Sequence, residues 1–83
     1  MKRTSQALSK AVGDETIVLH VESGHYYGLN EVGAFIWSLL DDDIEFDQIL
    51  CAVRAEFDID KPSAELDIQN LLDELHAKQL IDY

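Results

Sequence analysis

His20, His25, Tyr26, Tyr27, Ser38 and Cys51 are the residues of this sequence whose chemistry could build a reactive centre. Three of them fall within the tract ESGHYYGLNEVGAFIW, residues 22–37. Imidazole, phenol and thiol groups serve acid–base and nucleophilic catalysis. Their spacing here assembles neither: there is no G-x-S-x-G elbow, no H-E-x-x-H, no Cys-x-x-Cys and no glycine-rich phosphate loop. His20 and His25 can face one another across a hairpin, but two imidazoles without a third ligand make a poor metal site. No catalytic residue, metal or cofactor is therefore expected, and the tract reads as a binding edge followed by a helix start.

Two further groups are set aside. Ser38, followed by Leu39, invites comparison with acyl and peptidyl carrier proteins, which are small and acidic and carry phosphopantetheine on a serine in an Asp-Ser-Leu context at a helix start. Here Trp37 precedes the serine, the position lies inside a helical stripe, and the first third of the chain reads as strand rather than helix. Cys51 is the lone cysteine and cannot form an intramolecular disulfide. It falls in an apolar helical repeat and is expected to be a small core residue.

The elements that must position the tract follow from periodicity. Leu8 and Val12 flank Lys10 in one run of period two, and Ile17, Leu19 and Val21 alternate with Val18 and His20 in the next. Gly13-Asp14-Glu15 supplies the turn between them, and Glu22-Ser23-Gly24 a second turn in which glycine alone takes positive φ cheaply. A third strand, His25 to Leu29, follows directly.

Asn30 is placed to cap a first helix over Glu31 to Leu40, whose apolar stripe is Val32, Phe35, Ile36, Leu39 and Leu40. Asp41-Asp42-Asp43 ends it, because negative charge is disfavoured at a helix C-terminus. Phe46, Ile49, Leu50, Val53 and Phe57 mark a second helix, with Asp43 or Glu45 near its start. Leu66, Ile68, Leu71, Leu72 and Leu75 mark a third and longest helix, entered through Asp60 as cap and Pro62 in the first turn. The tail Leu80-Ile81-Asp82-Tyr83 is apolar enough to dock, whereas residues 1–5 are expected to be flexible. The expectation is one α+β domain over residues 1–83, three strands followed by three helices.

Composition narrows the partners. Apolar residues make up 47% of 83 and charged residues 28%, which suits a folded domain, although a chain this short buries only about 60 to 65% of the surface its unfolded form exposes. No apolar run reaches the roughly 18 residues needed to cross a bilayer, and MKRTSQALSK lacks the apolar stretch of a signal peptide. The expected location is the cytoplasm, with no membrane partner. Acidic side chains number 17 against 6 basic, for a net charge of −11. Such a surface repels phosphate backbones, which argues against nucleic acid as a partner. Solubility alone is the plainer reading of the same charge.

A short three-stranded sheet must have edges, and an unpaired edge offers a row of N–H and C=O groups to an extended peptide. His25 to Leu29 is aromatic, β-prone and nearly free of charge. If the third helix lies alongside it, the two form a groove, with affinity from main-chain bonds and preference from side-chain pockets. The plainer alternative is that Tyr26 and Tyr27 pack the sheet and the edge is covered. An open edge also permits a dimer through that strand.

At this point the residues resemble a known family, the winged-helix peptide-binding domains called RiPP recognition elements, whose namesake is the peptide chaperone of pyrroloquinoline quinone biosynthesis. The resemblance runs from about Leu8 to the C-terminus and rests on GHYYGLNEVGAFIWSLL, similar to the family's strand, Leu-Asn corner and helix entry, and on LDIQNLLDELHAKQLID, similar to its closing helix. It implies a winged helix-turn-helix of three antiparallel strands and three helices. It also implies a non-enzymatic function, capture of the leader segment of a ribosomally made precursor peptide and its presentation to modifying enzymes.

In the family the leader adds antiparallel to the third strand and packs on the third helix. Carried over by position, the strand wall is His25, Tyr26, Tyr27, Gly28 and Leu29, and the helix wall is Asp67, Asn70, Leu71 and Glu74. Leu71 also belongs to the buried stripe, and solvent exposure is the plain reading of the three polar residues. Acidic groups on that wall pair with Lys or Arg of a leader at about 0.2 to 1 kcal/mol each if exposed.

The chain departs from the quinone-pathway member where SLLDDD replaces a glycine-containing acidic turn. It is more similar to the stand-alone leader-binding protein of split lasso-peptide systems, which works beside a separate leader peptidase. Two alternatives stay open: the same domain serving a radical-SAM or other peptide-modification pathway, and a winged-helix DNA-binding regulator. The latter needs a basic recognition helix, whereas here Lys61 and Lys78 sit at the ends of the third helix with Glu65, Asp67, Asp73 and Glu74 between.

Overall fold

The computed structural model describes residues 1–82. A strand of two residues, β1 (Lys2–Arg3), is followed by β2 (Ala7–Val12), β3 (Glu15–His20) and β4 (Tyr26–Leu29). Helices α1 (Glu31–Leu39), α2 (Phe46–Glu56) and α3 (Lys61–Ala77) come next, and β5 (Ile81–Asp82) closes the order. Strands β2, β3 and β4 form an antiparallel meander in that order, as the alternation and the two turns require. Gly13 and Gly24 take the positive φ values, 63° and 75°, that the turns need.

The three-strand, three-helix α+β architecture is as expected, with one addition. Lys2–Arg3 pairs antiparallel with Ile81–Asp82 in a separate two-stranded sheet. The first five residues, expected to move freely, thus carry a strand, and further bonds accompany it: Arg3 N–H to Leu40 O at 3.1 Å and Thr4 N–H to Leu80 O at 3.0 Å. The tail docks as its composition implies, since Leu80 and Ile81 are buried. Tyr83 lies outside the described residues.

The helix entries follow local chemistry. Asn30 Oδ1 accepts from Gly33 N–H at 2.9 Å, and Asp60 Oδ2 accepts from Ser63 N–H at 3.1 Å with Pro62 in the first turn of α3. The α2 entry falls at Glu45, whose N–H donates to Gln48 Oε1 at 2.9 Å. The core sits between the inward face of the sheet and the helices: Val18, Leu29, Ile36, Trp37, Leu40, Ile49, Leu50, Val53, Ala64, Ile68, Leu72 and Leu75 are all buried.

Two core assignments are corrected. Cys51 is exposed. The buried residues of α2 are Ile49, Leu50 and Val53, and a residue one step past Leu50 is turned about 100° away from that stripe. Leu66 is 62% exposed because α3 buries Ala64, Ile68, Leu72 and Leu75, a phase that puts position 66 on the opposite side. The apolar type of each residue fitted the core, but its angle round the helix did not.

The outward face of the sheet is largely apolar, with Lys10 and Glu15 as its charged members. Leu8, Val12, Ile17, Val21 and Tyr26 point there by strand alternation and are 42 to 72% exposed. No helix among the described residues is long and apolar enough to cross a membrane.

Candidate functional site

β4 is an edge strand of the meander, with β3 on one side only. Register decides which of its backbone groups are free. His20 N–H donates to His25 O at 2.9 Å, and the pairs Leu19↔Tyr26, Val18↔Tyr27, Ile17↔Gly28 and Thr16↔Leu29 continue the ladder. In an antiparallel pair hydrogen-bonded and non-bonded positions alternate. Tyr27 and Leu29 therefore turn their amides and carbonyls towards β3, while Tyr26 and Gly28 turn theirs outward.

That open edge looks across a groove of about 390 Å³. Tyr27, Gly28, Leu29 and Asn30 form one wall, Asp67, Leu71, Glu74, Leu75 and Lys78 the other, and Val32, Gly33 and Ile36 of α1 the floor. Gly33 lets α1 approach: a Cβ there would stand 3.3 Å from both Leu29 Cβ and Asn30 Oδ1. On α3 the lining residues follow one stripe at i, i+4, i+7, i+8 and i+11.

Of the residues expected at the site, the structure brings Tyr27, Gly28, Leu29, Asp67, Leu71 and Glu74 to the groove. His25 is exposed and stands one residue before β4. Tyr26 is 72% exposed with its ring on the outward face of the sheet, so only its backbone addresses the groove edge. Asn70 is exposed and lies about 60° round α3 from Asp67, on the side away from Leu71 and Leu75.

The floor residues and Lys78 were not anticipated as lining. Val32 and Ile36 belong to the apolar stripe of α1, and the groove exposes the margin of that stripe. Lys78 was legible only as a charge at a helix end. In the fold it lies over the Tyr27 ring, 4.9 Å from its centroid, and bonds Glu74 Oε1 at 2.8 Å.

His20 does not line the groove; it is buried on the inward face of β3, where Nδ1 accepts from Ser23 N–H at 3.1 Å. No group of three or more metal-ligating side chains occurs among the described residues. An open strand edge, an apolar floor and a helix wall with charged ends are the parts of a site for an extended peptide.

The sequence profile of coenzyme PQQ synthesis protein D matches residues 15–81. The solved structure of TbiB1 in complex with the TbiA(beta) leader peptide superposes with a TM-score of 0.90 at 37% identity, covering 100% of this chain and 98% of that one. Lasso peptide synthetase B1 complexed with the leader peptide superposes with a TM-score of 0.82 at 22% identity over 95% of this chain and 93% of that one, a likeness of fold. No curated protein matches the sequence significantly.

Proposed function

The chain belongs to the coenzyme PQQ synthesis protein D family, and on that premise we propose that it is a RiPP recognition element that binds the leader segment of a precursor peptide in lasso-peptide biosynthesis. The observation that carries this reading is the open edge of β4 above an apolar-floored groove, in a chain that shares its whole length with a protein solved with a leader peptide. The leader adds as a strand to β4 and sets side chains on Leu71 and Val32, which are half-buried and line the groove. Main-chain bonds supply sequence-tolerant affinity and the groove supplies preference.

The protein acts by binding, in the cytoplasm, and hands the precursor to an enzyme on another chain, a leader peptidase in the split lasso systems it resembles. The outward apolar face of the sheet supports this second half of the reading, since a contiguous exposed apolar patch on a small domain is characteristic of protein contacts. A DNA-binding role on the same fold is disfavoured by α3, where Glu65, Asp67, Asp73 and Glu74 would face phosphate.

The test is a fluorescence-anisotropy titration of the folded protein with labelled leader peptides from precursor genes beside its own. Saturable sub-micromolar binding to a lasso-type leader is the expected result. Absence of binding to every neighbouring leader would overturn the reading.

A further inference from the structure

The two ends of the groove differ in charge. At one end Glu74 is neutralised by Lys78, whose ammonium bonds Glu74 Oε1 at 2.8 Å and lies over the Tyr27 ring. At the other end Asp67 lines the groove with an exposed carboxylate that has no ion-pair or hydrogen-bond partner among the described residues. From this asymmetry, and resting on the leader-binding reading above, we infer that Asp67 is a specificity-determining residue that pairs with a Lys or Arg near the N-terminal end of the β4-bound stretch of the leader.

The direction follows from how the walls run. Lys78, at the C-terminal end of α3, stands beside Tyr27, near the start of β4. Asp67 lies eleven residues earlier, about 16 Å along the helix, and so towards Leu29 and Asn30. A strand added antiparallel to β4, the more stable arrangement, enters at the Leu29 end and leaves at the Tyr26 end. Its first residues thus pass Asp67 and its last pass Lys78. The span accommodates about five strand residues at about 3.3 Å each.

A cation at the entry meets an unpaired carboxylate, whereas a cation at the exit meets Lys78. On a chain of net charge −11 the general field favours cationic peptides everywhere. Position-specific preference, by contrast, requires a fixed unpaired group, and Asp67 is the carboxylate of the groove in that state.

The experiment titrates the full-length protein with the labelled leader peptide encoded beside its gene and with versions in which each Lys or Arg is singly replaced by Gln. Each peptide is measured against the native protein and Asp67→Asn, and amide-exchange protection of the peptide marks the stretch paired with β4. The expected result is one cationic position, at the N-terminal side of that stretch, where Gln weakens binding about twofold to fivefold in the native protein and leaves it unchanged in Asp67→Asn. A Glu at that position should be rescued by Asp67→Lys. Tight binding with no position coupled to Asp67, or coupling only at the C-terminal side, overturns this inference and leaves the leader-binding reading intact. Failure of every leader to bind overturns both.

Discussion

Lys78 and Tyr27 are stacked across one end of the groove, the ammonium 4.9 Å from the ring centroid, and the same ammonium bonds Glu74 Oε1 at 2.8 Å. One side chain thus joins the end of α3 to the strand whose edge is open. An exposed cation–π contact contributes about 0.5 to 1 kcal/mol, and an i,i+4 ion pair about 0.3 to 0.5.

Lys78→Met keeps the aliphatic stem and removes the charge, so it is expected to destabilise the fold by about 1 kcal/mol. In a domain of this size that lowers the thermal midpoint by about 4 to 8 °C. Glu74→Gln removes only the ion pair and should cost less than half as much. Equal losses in the two variants would show that the contact with Tyr27 contributes nothing.

Arg3 fastens the first strand to the end of α1. Its Nη2 and Nε donate to Trp37 O at 2.6 and 3.1 Å, and its guanidinium lies 4.6 Å from the Trp37 ring centroid. Trp37 O also accepts from Leu40 N–H at 3.1 Å, so the guanidinium adds charge-assisted donors to a carbonyl of the last helical turn that has a second lone pair to offer. Arg3→Met is expected to cost about 1.5 to 3 kcal/mol, the range for hydrogen bonds to charged groups. Urea unfolding followed by Trp37 fluorescence measures this, and an unchanged midpoint would make the contact incidental.

Acid is expected to loosen the fold through two carboxylates. The Ser63 N–H bond to Asp60, and the hydrogen bond and charge of the N-terminal ammonium beside Asp43, hold both groups below the ordinary 3.8. Below 3.8 the unfolded chain takes up these protons more readily than the folded one, so the stabilisation is full above that value and fades as pH falls through the lowered ones. Thermal midpoints measured downward from about pH 5 should decline. Asp60→Asn, which still caps α3, should flatten part of that slope. An identical slope in the variant would remove Asp60 from the account.

Local chemistry made much of the fold legible in the sequence. Asn30, Asp60 and Pro62 sit where their capping roles require, and Gly13 and Gly24 take the positive φ of their turns. The β1–β5 sheet was not legible, because two-residue strands near opposite termini carry no alternation pattern and their partner is set by the tertiary fold. Cys51 and Leu66 were misplaced because apolar character says nothing of angle round the helix. At the site, Leu71 and Glu74 follow from helical spacing, whereas the floor at Val32 and Ile36 depends on how α1 packs under β4.

The register of β4 gives a sharper test of strand addition than any side chain in the groove. Tyr26 and Gly28 present outward amides, and proline there removes a donor from the free edge without touching the ladder to β3. A Cβ at Gly28 meets nothing within 4 Å. Tyr26→Pro and Gly28→Pro are each expected to leave the thermal midpoint within a few degrees and to weaken leader binding about threefold to tenfold, the value of one hydrogen bond. Tyr27→Pro breaks a bond to Val18 instead, so stability falls first and any loss of affinity follows from unfolding. Folded Tyr26→Pro and Gly28→Pro proteins that bind the leader like the native chain would place it on side chains alone, because the outward donors would then have no role in holding it.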